Sequence, residues 1–278
     1  MSLLFGAPVA AQAPSPSPPG WLDAWQGVER LEVRRFVETQ VEGGDGEDHL
    51  RVCEIVFEIE TDARGLTLRP QRDDALFEPV IDPQLFPGRV ERLGCLVPTL
   101  RVDAGGRVSA PDAAAIEAKV RALFERFIAA QPGRDEQARV RARVRGSLQS
   151  LSTPALQASA QTWWSMLGAR PSDFAAAALH RSPCVMPSPP TTLCTQAQSE
   201  EVLDLTRSMT QMYEGAGFRL ERALANQQAT VRFRSDQAPP TTYVRRISQA
   251  QDLVHRYTDE KARITATNLE FLTIHVVR

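Results

Sequence analysis

Lysine is nearly missing from this chain: Lys119 and Lys261 are the only two among 32 basic residues. With alanine and proline abundant, that ratio reads as a GC-rich coding bias, so arginine number alone does not signal phosphate recognition. A strong charge of either sign is missing too. The net charge of -2 and pI near 6.1 exclude a global attraction to nucleic acid or to an anionic membrane surface. A polyanion would need a local basic patch.

The signposted chemistries are absent as well. There is no glycine-rich phosphate loop, Gly-x-Ser-x-Gly elbow, His-Glu-x-x-His or Cys-x-x-Cys, so no cofactor and no metal centre is implied. No stretch beyond the N-terminus approaches the ~20 apolar residues of a membrane span, so none is expected.

What is present begins with an apolar run, Leu3 to Ala11, followed by small residues and a Pro/Ser-rich stretch ending at Gly20. Residues 1–20 read as a signal-like segment and spacer, with cleavage expected after Ala11, although the basic start of such a signal is missing. The expected location is periplasmic or secreted.

Four cysteines fit two disulfides in an oxidising compartment. Of the three pairings, proximity favours Cys184 with Cys194 across a proline-stiffened loop, leaving Cys53 with Cys95. The bland alternative for the second pair is two buried thiols.

Periodicity sets the elements. Leu31 to Val41 alternates with one irregularity, and Cys53, Ile55, Phe57 and Ile59 share one face of a half-buried strand. Turn residues Asp62 to Gly65 lead into a hairpin through Leu66 and Leu68, and a second short hairpin is expected across Asp103 to Gly106. The apolar period then becomes helical over residues 109–131, through Val140, Val144, Leu148 and Leu151, and over 153–167. Two further helices are expected, at 172–180 and from Ser199 through Val202, Leu205, Met209, Met212 and Tyr213. Alternation returns in the last sixty residues as four or five antiparallel strands. The expected fold is α+β: antiparallel β regions in the N- and C-terminal thirds flank a mostly helical middle third. Residues 21–278 read as a single globular domain with a sub-boundary near 182–198.

Five constellations offer chemistry, each with a plainer reading. His180, Cys184 and Cys194 have the donor types of a metal site, but a disulfide leaves no thiolate. Asp45 to His49 gathers carboxylates suited to calcium, yet sits where a solvated hairpin tip belongs. Arg139, Arg141, Arg143 and Arg145 concentrate positive charge without interleaved aromatics, which favours an ordinary helix surface and no nucleic acid. Trp163 and Trp164 place one indole toward the core and leave Trp164 as a candidate partner contact. His255 and His275 could supply a general base, although no nucleophile or acid is tied to them by spacing.

The leading expectation is an exported, non-catalytic binding or interaction protein whose partner is a protein or a small apolar ligand. The alternatives are a hydrolase with a dispersed active site and a secreted inhibitor or immunity-type protein.

Overall fold

The computed structural model describes residues 19–42, 49–62, 64–80, 83–174, 178–183, 193–207, 209–210, 218–233 and 239–278. The signal-like segment, the acidic cluster from Asp45 to Asp48 and Cys184 lie outside them.

Among the described residues, ten strands form one antiparallel sheet. In chain order they are β1 (Arg30–Glu42), β2 (His49–Asp62), β3 (Gly65–Pro70), β4 (Leu100–Asp103), β5 (Val108–Ser109), β6 (Leu179–Pro183), β7 (Leu193–Asp204), β8 (Phe218–Phe233), β9 (Thr242–His255) and β10 (Lys261–Val277). Their order across the sheet is β5-β4-β3-β2-β1-β10-β9-β8-β7-β6. Four helices, α1 (Phe86–Leu93), α2 (Ala113–Ala129), α3 (Arg134–Ser150) and α4 (Thr153–Leu167), fall between β3 and β6 in the chain.

This arrangement corrects the expected fold class. The two β regions are not separate flanks of a helical middle: the last strand, β10, pairs beside the first, β1, and β6 and β7 bring strands into the middle of the chain. The helix expected from Ser199 is strand β7 as far as Asp204, paired with β8 from Thr195↔Phe233 to Asp204↔Leu224. A helical spacing of apolar residues lost to a second pattern, Cys194-Thr195 and Ala197, which the sheet buries while Val202 stays 66% exposed. Beyond β7, residues 206–207 and 209–210 are helical, Met212 and Tyr213 lie outside the described residues, and a 3₁₀ turn, Pro171–Asp173, precedes β6 where a helix over 172–180 was expected. The four or five short terminal strands are three long ones of 16, 14 and 17 residues. Polar residues in their middles interrupt the apolar alternation without interrupting the strand.

The chain divides into two compact units. One comprises residues 4–32, 54–168 and 276–278, the other 1–3, 33–53 and 169–275.

In the helical unit, Leu31, Phe57, Leu66, Leu68, Leu100 and Val102 face inward, with the buried stripe Ile116, Val120, Leu123, Phe124 and Ile128 of α2. Trp163 of α4 meets Phe57 edge-on at 5.9 Å. Polar side chains fix the helix starts. Gln157 of α4 bridges the hairpin, accepting from the Ala110 amide and donating to the Val108 carbonyl. Asp112, just before α2, accepts from the Thr99 amide and hydroxyl and pairs with Arg72 at 2.6 Å. Burial pushes its carboxyl up, but the Thr99 hydrogen bonds and the Arg72 guanidinium outweigh that and hold it below the usual carboxylate range.

Glu117 accepts from both the hydroxyl and the amide of Thr153 at the start of α4, 2.6 and 2.7 Å away. These bonds, with Arg121 beside them, lower its carboxyl from 4.5 to about 2. The folded value lies below the unfolded one, so this carboxylate stabilises the fold above about pH 4.5, and the contribution fades as pH falls toward about 2. Acid unfolding followed by circular dichroism should therefore be shallower in Glu117→Gln across that window, and the variant should be less stable than wild type at pH 7. An unchanged acid limb would show that the cap carries no such linkage.

In the other unit the sheet has no long helix upon it among the described residues, and its inner face is the subject of the next subsection.

Candidate functional site

Register places the inner face of β8, β9 and β10 in five rows. Tyr243 lies opposite Val231 and Leu272, Arg245 opposite Ala229 and Glu270, and Ile247 opposite Gln227 and Asn268. Gln249 follows opposite Ala225 and Ala266, then Gln251 opposite Ala223 and Ile264. Alternate residues of a strand share a face, which is why this set is continuous.

The two ends of the face are apolar. Val231, Phe233 and Leu272 are fully buried at one end, where Phe174 meets Phe233 edge-on at 6.4 Å. At the other, Met209, Leu220, Ala223 and Leu253 form a core joined by Leu205, Phe218 and Ile264.

The middle is polar. Glu270, only 4% exposed, accepts from Arg35 Nε of β1 at 2.6 Å and lies 2.9 Å from Arg245 Nη2 of β9. One buried carboxylate thus serves two guanidiniums. The Arg245 approach is not a directed hydrogen bond: Glu270 Oε2 and Arg245 Nε are both buried without a hydrogen-bond partner. Burial raises the neighbouring Tyr243 phenol above its usual range, partly offset by the Arg245 charge. One and two rows further along, Gln227 Oε1 and Gln249 Oε1 are also buried and partnerless among the described residues. Small alanines, Ala223, Ala225, Ala229 and Ala266, lie between these long side chains and are themselves buried. Thr39 of β1 closes the edge of the face with a 2.5 Å hydrogen bond to Asn268.

None of the polar residues of this face was named as a candidate in the sequence, where Leu205 and Met209 figured only on an expected helix. In the residues, Gln227, Gln249 and Arg245 do interrupt the apolar parity of otherwise regular strands, but a polar residue there reads equally well as the solvent side of a strand.

The residues that had been singled out are dispersed. Cys53 is disulfide-bonded with Cys95, and no described cysteine is free. Closing that 42-residue loop contributes about 4 kcal/mol in the chain-entropy account. Cys194 is also disulfide-bonded and so has no thiolate for a metal; Cys184 lies outside the described residues, and His180 is exposed on β6. Trp164 is 8% exposed, set 5.5 Å from Trp21 and 5.6 Å from Trp25. Its indole lies so close to Gly168 that an added Cβ there would sit 2.6 Å from the ring. The partner contact considered for Trp164 thus falls on a buried residue of the helical unit.

His255 and His275 are on neighbouring strands but at opposite ends of the β9–β10 pair. His255 lies beside the connection to Lys261, His275 beyond Thr273↔Thr242. At about 3.3 Å per residue, roughly 50 Å of extended strand lies between them. His255 Nδ1 faces the Thr258 hydroxyl at 3.1 Å, and Thr258 donates to Glu260 at 3.2 Å. The hydroxyl therefore stands between imidazole and carboxylate, the reverse of the order that activates a hydroxyl nucleophile.

On the outer face, a shallow depression of about 560 Å³ is lined by Arg222, Asp252, Lys261 and Arg263 with Glu221. Asp252 sits opposite both Arg222 and Arg263, so its charge answers theirs. No helix among the described residues is long and apolar enough to cross a membrane.

No family model matches the chain, and no curated protein matches it. A solved structure, described as lipid–protein interactions in lipovitellin, is similar over 90% of this chain and 25% of that one, at 11% identity and a TM-score of 0.31. This chain therefore spans about a quarter of that protein's length.

Proposed function

We propose that the chain is a non-catalytic binding protein, working outside the cytoplasm, which holds a small amphiphilic molecule on the inner face of β8, β9 and β10. One observation carries the reading: Gln227 Oε1 and Gln249 Oε1 are buried on the same face without a donor. A buried acceptor left unmatched costs about 1–3 kcal/mol, and a ligand that donates to it recovers that cost. The apolar ends of the face and its alanine rows suit an apolar body, and the two amide oxygens suit the N–H or O–H groups such a body carries. The disulfides support a compartment where thiols are oxidised.

N-phenyl-1-naphthylamine combines an apolar body with one N–H donor and reports burial by fluorescence. Wild-type protein is expected to bind it saturably. Gln227→Met/Gln249→Met, which keeps volume and removes both acceptors, is expected to bind about tenfold more weakly, the worth of one lost hydrogen bond. The same variant should melt no lower than wild type, since the replaced oxygens had no partner to lose. Absence of saturable binding, or equal binding by the variant, would sink the reading.

A further inference from the structure

Arginine number is uninformative in this chain, but arginine placement is not. The segment from Ala113 to Ser150, which forms α2 and α3, carries eight basic and four acidic side chains, while the whole chain has a net charge of -2. A net +4 is thus collected on one helical hairpin and the remainder of the protein is net acidic.

The helical period orders these charges. Arg134, Ala138, Arg141 and Arg145 follow one another at four, three and four residues and share a stripe of α3. That stripe borders α2, because Arg141 reaches Glu125 across the hairpin at 3.4 Å. Antiparallel helices then bring Arg121 of α2 level with Arg145. Arg139 and Arg143 form a second pair, four residues apart, at the outer edge of α3. All six are exposed. Arg121, Arg139 and Arg141 have single carboxylate neighbours, Glu117, Glu136 and Glu125, whereas Arg126, Arg134, Arg143 and Arg145 have no ion pair among the described residues. Between the arginines stand small residues, Ala122, Ala138 and Ala142, which leave the guanidiniums unobstructed.

We propose that this face of the α2–α3 hairpin docks the protein on an anionic phospholipid bilayer. A guanidinium presents paired N–H donors that match a phosphate, and each arginine near an anionic surface adds to the attraction within a Debye length. The face is about 25 Å long by the rise of a 17-residue helix, long enough to meet several headgroups at once. Lipid headgroups diffuse to meet the spacing of the arginines, so no register is required of the partner. Single-stranded nucleic acid would instead call for aromatic platforms, and none of the exposed residues of α2 or α3 is aromatic. The disulfides favour the same choice, since oxidising compartments are bounded by phospholipid. This inference is independent of the inner face of the other unit and of what binds there.

The test is co-sedimentation of the full chain with vesicles of phosphatidylcholine alone and of phosphatidylcholine with 30% phosphatidylglycerol, at low and high salt. Binding to the anionic vesicles only, abolished by 0.5 M sodium chloride, is the expected result. Arg134→Gln/Arg141→Gln/Arg145→Gln should partition at least about tenfold more weakly. The control Arg219→Gln/Arg256→Gln/Arg263→Gln, with three arginines of the other unit replaced, should bind as wild type. Thermal melts confirm that both variants fold. No binding to anionic vesicles, equal loss in the control, or tighter binding to duplex DNA than to the vesicles at the same salt would each overturn the proposal.

Discussion

Glu270→Ala is expected to lose about 3–5 kcal/mol of stability, read by urea denaturation at neutral pH, because it removes the carboxylate on which two largely buried guanidiniums converge. Arg35 and Arg245 are 23% and 21% exposed and both converge on Glu270, which is 5% exposed by its side chain. Most of each arginine side chain is out of water, so the cost is largely the desolvation of charge that has lost this carboxylate rather than the worth of one hydrogen bond. A second variant separates these terms. Replacing all three groups, as Arg35→Met/Glu270→Leu/Arg245→Met, removes charge and partner together and should recover most of the loss, since a well-packed apolar set of similar volume is about as stable as a buried ion cluster. Should the single variant prove neutral, the triad would be solvated in the protein, and the inner face would be a wetter surface than its burial implies.

The second large effect lies in the helical unit. Gly65 opens β3 at φ +144°, paired with Asp62 on one side and Asp103 on the other. A Cβ at this position would be driven into the Val102 carbonyl oxygen, well inside contact distance. That oxygen is backbone of β4 and cannot swing aside as a long side chain would. Gly65→Ala should therefore cost more than about 3 kcal/mol, the strain of a positive φ adding to the clash. Gly133→Ala offers a comparison: its φ is also positive, +80°, but an added Cβ meets nothing within 4 Å. It should lose only the conformational part, about 1 kcal/mol. Equal melting temperatures for the two variants would refute the role assigned to Val102.

Much of this architecture was legible from residues alone. Strands β1 to β5 and helices α2 to α4 follow from parity, from turn residues such as Gly65, and from the Thr153-Pro154 helix start, because local chemistry and tertiary environment agree there. They disagree around Ser199. Glu200 and Glu201 with Val202, Leu205 and Met209 satisfy a helical template, but β8 offers ten consecutive residues of backbone pairing, and that outweighs a weak propensity. The candidate site was hidden for a related reason. Gln227, Gln249, Arg245 and Glu270 are polar residues at inward positions, so each in isolation resembles the solvent side of a strand. Only the register of β8, β9 and β10 shows that they share one buried face.

The arginine hairpin divides differently. Its charge was visible in the residues and the helical period aligns Arg134, Arg141 and Arg145 on α3, yet the placement of that stripe beside α2 required the packing of two helices.

By itself, then, the order of residues determined the local elements, the even number of cysteines, and the segregation of positive charge into residues 113–150, because each depends on neighbours within a few positions. The folded chain decided that β10 lies beside β1, that Cys53 meets Cys95, and that four scattered polar side chains converge beneath one face. They include contacts between residues 235 apart, as Arg35 and Glu270 are. Their pairing is chosen by the loop closures and buried surface of the whole sheet, which no local pattern records.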